Sequence, residues 1–117
     1  MEKTIEVNGR PVRFKCTGGT VRRYRARFHG DLIVGMTDLV AKIQRGEGFN
    51  ADDLETFENI AFLMAKEGDP DSVPDDPDEW LDQFEMFSIY EIMPELIMLW
   101  NTTNTGIAAV TDNGKKN

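Results

Sequence analysis

The chain holds one thiol, Cys16, and one imidazole, His29. A cysteine activated by histidine needs the two side chains within hydrogen-bond reach, and nothing in the spacing fixes these two near each other. His29 stands directly before Gly30, a helix-ending position, and reads as structural. Asp69, Asp71, Asp75, Asp76 and Asp78 form an acidic run that could meet a divalent cation. They lack the glycine and the distal glutamate of an EF-hand loop, so the run reads as a solvated loop and no metal site is expected. Thr17-Gly18-Gly19-Thr20 is too short to cradle a nucleotide phosphate. With no catalytic constellation in view, the expectation is a protein that is not an enzyme and uses no cofactor.

Charge and apolar surface carry more information. From Met1 to Arg45, ten Lys/Arg face four Asp/Glu, a net of +6; from Gly46 to Trp100, Lys66 alone faces sixteen acids, a net of −15. The whole chain is at −8. Arg22, Arg23, Arg25 and Arg27, with Tyr24 among them, are of the type that grips phosphates. An acidic chain repels a duplex, so these arginines are expected to meet the acidic half instead, within the chain or by self-association with a neighbouring copy, and no nucleic acid partner is expected. Both tryptophans and three of the six methionines lie between Trp80 and Trp100. Aromatic and methionine side chains in that density suit either a core or a pliable interface that wraps an apolar helix. Trp80, Phe84, Phe87, Met93, Ile97 and Trp100 are the candidates for partner contact, and Leu81, Phe84 and Leu96 also suit the core.

The elements that must position these residues are legible in the pattern. Thr4–Val7 and Pro11–Cys16 alternate polar and apolar around Asn8-Gly9, a two-residue hairpin signal in which both residues tolerate positive φ. Thr20 is placed to cap a short helix that runs to Phe28 and ends at Gly30. Asp31 caps the next helix, with Leu32, Met36, Leu39, Val40 and Ile43 on one stripe. Asn50 and Asp53 open a third helix from about Ala51 to Lys66, with Leu54, Phe57, Ile60, Ala61 and Met64 facing inward. After a loop with three prolines, Asp78 caps a short helix carrying Trp80, Leu81 and Phe84. Ser88-x-x-Glu91 reads as a capping box for the last helix, which Pro94 should kink or break near Tyr90. The expected fold class is α+β, mostly α: a single domain over residues 1–103, with an N-terminal hairpin and four to five helices, and a flexible tail over 104–117.

At 117 residues, 40% hydrophobic and 9% aromatic, the chain fits one folded domain with a modest core. No apolar run approaches the roughly 20 residues of a membrane span. The segment from Met1 to Thr4 lacks the apolar stretch of a signal peptide, and the single cysteine fits a reducing compartment. A cytoplasmic location and no membrane partner are therefore expected.

The order of elements resembles a known family. Thr4-Ile5-Glu6-Val7-Asn8-Gly9-Arg10-Pro11-Val12-Arg13-Phe14-Lys15 leads into Tyr24-Arg25-Ala26-Arg27-Phe28-His29-Gly30-Asp31-Leu32, then a helix, an acidic Pro-Asp loop, Glu79-Trp80-Leu81-Asp82-Gln83-Phe84 and an apolar helix. From roughly Ile5 to Thr103 this is similar to the tail assembly chaperones of long-tailed (siphovirus-type) bacteriophages and prophages of Gram-positive hosts. Each motif is short, and it is their order that carries the likeness. The resemblance implies a non-enzymatic protein of the host cell cytoplasm that coats and solubilises the tape measure protein during tail morphogenesis and is absent from the mature virion. It also implies a longer product by ribosomal frameshifting, with which lysine codons at Lys115-Lys116-Asn117 are compatible. Rival readings are an acidic DNA-mimic inhibitor, which needs its carboxylates ranged on one rigid face, another small protein–protein interaction module, and a small enzyme built on Cys16 and His29.

Overall fold

A computed structural model describes residues 1–102. The tail expected over 104–117, with Lys115 and Lys116, lies outside the described residues. Strands β1 (Glu2–Val7) and β2 (Arg10–Lys15) pair antiparallel, with Ile5 opposite Val12 and Val7 opposite Arg10. Asn8 and Gly9 both take positive φ, 55° and 78°, as a type I′ turn requires. Ile5, Val7 and Phe14 point inward and are buried. One further rung locks the strand ends: the Met1 amino group donates to the Cys16 carbonyl and the Cys16 N–H donates to the Met1 carbonyl, each at 2.8 Å.

Five helices follow: α1 (Gly18–Phe28), α2 (Leu32–Gln44), α3 (Ala51–Gly68), α4 (Pro77–Leu81) and α5 (Ser88–Glu91). Helical backbone resumes over residues 93–102, the end of the described chain. The α+β, mostly helical architecture with its N-terminal hairpin is as the sequence predicts. No helix among the described residues is long and apolar enough to cross a membrane.

Helix α3 is the axis of the fold. It contacts β2, α1, α2 and α4, and six consecutive residues, Ile60 to Ala65, are buried. A helix buried on every side has no polar face over that stretch; the single stripe expected from its periodicity describes only part of what is enclosed. Two glycines permit the close approach. A Cβ on Gly68 would lie 1.9 Å from the Arg13 carbonyl oxygen of β2, and one on Gly35 of α2 would lie 2.8 Å from Thr56 Cγ2 of α3.

Capping chemistry departs from the sequence reading at four places. Thr17, not Thr20, caps α1; Thr20 sits three residues on and completes the reciprocal pair, its hydroxyl accepting from the Thr17 N–H at 2.9 Å. His29, not Gly30, takes the left-handed conformation that ends α1, at φ 58°. Asp76, not Asp78, caps α4, with Pro77 in the first helical position where a missing N–H is harmless. At α5 the helix does begin after Phe87, but no side chain caps it. The Ser88 hydroxyl instead donates to Asn8 Oδ1 at 2.8 Å, tying α5 to the hairpin turn. The caps at Asp31 and Asn50/Asp53 form as expected. The break imposed by Pro94 falls at Ile92, so that Pro94 occupies the first turn of the 93–102 stretch.

Candidate partner-binding surface

The basic and acidic halves fold against each other. The Arg23 guanidinium donates to the Glu67 carboxylate, its Nε at 3.1 Å from Oε1, and the Thr20 hydroxyl donates to the same oxygen at 2.7 Å. Burial works to raise the Glu67 carboxyl, but the hydrogen bonds from Arg23 and Thr20 outweigh it and hold the group below its usual range. Arg25 donates to Asp31 at 2.8 Å. Arg27 donates to the Asp75 carbonyl, and its guanidinium lies 4.9 Å from the centre of the Phe62 ring. Of the four arginines expected to meet the acidic half, Arg23 pairs with one of its carboxylates, Arg27 reaches a backbone carbonyl of the acidic loop, and Arg25 pairs with Asp31 inside the basic segment. Arg22 is exposed, with no partner among the described residues.

Neither enzyme-like feature assembles. Cys16 is buried and its thiol is pushed up by that burial, which opposes formation of a thiolate. His29 caps α1 at the surface. No cluster of three or more metal-ligating side chains occurs among the described residues. The acids of the Pro-Asp loop serve locally: Asp75 pairs with Lys66 at 2.9 Å and Asp76 caps α4.

The six candidate contact residues separate sharply. Trp80 is 2% exposed and packs edge-on against Phe62 and Phe84, with ring centres 6.0 and 5.2 Å away. Met93, Ile97 and Trp100 are buried as well, so these four belong to the core. The reason is positional: Met93, Ile97 and Trp100 fall on the inward face of the 93–102 stretch, and Trp80 is the anchor of a helix too short to hold itself. The Trp100 indole N–H is buried with no hydrogen-bond partner among the described residues. Phe84 is half-buried, and the Arg10 guanidinium lies 5.2 Å from its ring centre while donating to Gln83 Oε1 at 2.6 Å. Phe87 alone of the six is open, at 65% exposed.

Phe87 has a neighbour that the helical periodicity overlooks. Met86 is 75% exposed and sits in the linker between α4 and α5, off both helical stripes. Adjacent large apolar residues with no stripe to join are the sequence signal for such a surface. Met86 forms one side of a groove of about 380 Å³ between α3, the linker and α5. Leu81, Phe84 and Ile89 supply its other apolar walls, while Glu58, Asp82 and Glu85 are its acids. Tyr90 also lines it and donates its hydroxyl to Glu58; that hydrogen bond, aided by burial, pushes the Tyr90 phenol up to about 12. No Lys or Arg lines this groove. A second, smaller apolar groove of about 150 Å³ lies between Val40 and Ile43 of α2 and Pro94, Ile97 and Met98. There Ile43, expected to be buried, is partly exposed, and Met98 is 68% exposed.

Comparison with protein-family models, with curated proteins and with solved structures finds no match to this chain.

Proposed function

We propose that this protein is a tail assembly chaperone: a non-catalytic binding protein that covers apolar helical stripes on the tape measure protein, in the host cell cytoplasm, and is left out of the mature virion. The observation that carries the reading is the adjacent pair Met86 and Phe87, exposed beside an apolar groove on an otherwise acidic scaffold. Contiguous exposed apolar surface with a polar rim is the mark of an interaction site. Methionine adds adaptability, because its unbranched thioether side chain fills irregular gaps.

Energetics suit a coat better than a single tight complex. Complete burial of a Met or Phe side chain contributes roughly 1.5–3 kcal/mol, much of it offset by the freedom lost on association. Single sites of this size are weak. Repeated copies along one filament-length client gain through avidity, and a growing tube can displace them one at a time. A net charge of −8 on each copy keeps the coated client soluble.

Co-expression with a helical fragment of a tape measure protein tests the reading. The fragment is expected to remain soluble and to co-purify with the wild-type chain. Met86→Ser/Phe87→Ser should fold normally and leave the fragment insoluble.

A further inference from the structure

The rim of the α4–α5 groove has one sign. Glu58 comes from α3, Asp82 and Glu85 from the linker, and the groove has no cationic lining. Arg10 lies beside Phe84, held on its ring and on Gln83, and is absent from the groove itself. Leu81, Phe84, Met86 and Ile89 line the same groove. We infer that this groove selects a basic amphipathic helix of another protein, one with lysines or arginines flanking its apolar stripe. The inference rests on the chaperone reading above and specifies the chemistry of the client segment.

The geometry favours a helix edge over an extended chain or an acidic ligand. A helix offers apolar side chains at i, i+3, i+4 and i+7, so two or three of them reach one groove from one face. Flanking lysines on that helix then meet the carboxylates that line the groove. Acidic peptides and nucleic acid phosphates meet like charge there. The arginine-rich helix α1 of a second copy is a poor occupant, because Arg23, Arg25 and Arg27 are engaged within their own chain. Glu58 is held by the Tyr90 hydroxyl, so part of the acidic rim is already oriented before a client arrives. Exposed ion pairs are individually weak, but three on one rim give a readable preference that fades as salt screens it.

Three fluorescently labelled helical peptides test this, with one apolar stripe in common and Lys, Gln or Glu at the flanking positions. Anisotropy titrations use the full chain at low and high salt. The Lys peptide should bind about tenfold more tightly than the Gln peptide at low salt, a difference of about 1.4 kcal/mol. The Glu peptide should bind least, and the spread should narrow at high salt. Asp82→Asn/Glu85→Gln should bring the Lys peptide close to the Gln peptide and leave the Gln peptide unchanged; adding Glu58→Gln should complete the loss. Met86→Ser, which removes one wall of the groove, should weaken all three. Equal affinity for the Lys and Gln peptides overturns the charge preference while leaving the chaperone reading standing. No binding by any peptide, with a tape measure fragment still kept soluble, overturns the groove as the site. A concentration-dependent dimer that is lost in Met86→Ser, with no peptide binding, assigns the groove to a second copy and overturns the inference.

Discussion

Trp80 and Trp100, expected at a partner surface, are buried, whereas Met86 and Phe87 stand exposed. Trp80 rests between Phe62 and Phe84, so Trp80→Ala leaves a cavity at the centre of the fold and should cost about 3–5 kcal/mol, read as a drop in the urea midpoint. Phe87→Ser removes a ring that is mostly in water and should change stability by no more than about 0.5 kcal/mol. Comparable losses from the two substitutions would contradict this division of labour. Glu67 gives a second expectation. Its folded-state carboxyl is held below its usual range by Arg23 and Thr20 against the opposing effect of burial. A lowered value means stabilisation that is complete above the ordinary glutamate range and is lost as pH falls through the folded value. Unfolding midpoints measured downward from neutral pH should therefore fall in the wild type. They should fall less steeply in Glu67→Gln, which starts lower. The expectation that the arginines of α1 seek the acidic half holds for the side-chain pair Arg23–Glu67; which acid that would be was not legible, because the partner is set by how α1 lies on α3.

At the scale of elements, local chemistry was legible and tertiary chemistry was not. The Asn8-Gly9 turn, the Asp31 cap and the Asn50/Asp53 capping box depend on neighbours a few residues away, and all form. Ser88 carries the same kind of local signal, yet its hydroxyl goes to Asn8, eighty residues distant, a competitor that no local pattern contains. The enclosure of α3 is hidden for the same reason: Phe62 and Leu63 lie off its apolar stripe, and only the packing of β2, α1, α2 and α4 around the helix buries them. Gly68 tests that packing. Its last-turn position suggests an ordinary helix end, but the Arg13 carbonyl leaves no room for a methyl group. Gly68→Ala should destabilise the fold by about 1–3 kcal/mol through overpacking, although alanine is the better helix former. A variant as stable as the wild type, or more so, would show that β2 and α3 do not meet this closely. The groove was half legible: Phe84 stood out as an aromatic, whereas Met86, Asp82 and Glu85 come to line it only because the linker folds beside α3.

For the molecule as a whole, the polarity of the sequence resolves into two uses. Basic residues of the first half bind acids of the second at Arg23–Glu67, Lys42–Asp53 and Lys3–Glu95, while Glu58, Asp82 and Glu85 line the groove. A net charge of −8 with an exposed apolar pair at the surface is what the proposed shielding of a sticky helical client would need. The most direct measurement is the soluble fraction of a tape measure fragment co-expressed with this chain across a range of ratios. The account predicts that solubility rises with the amount of wild-type chain and reverts to that of the fragment alone with Met86→Ser/Phe87→Ser. A fragment that stays insoluble at every ratio, or that the double variant rescues equally well, would contradict it.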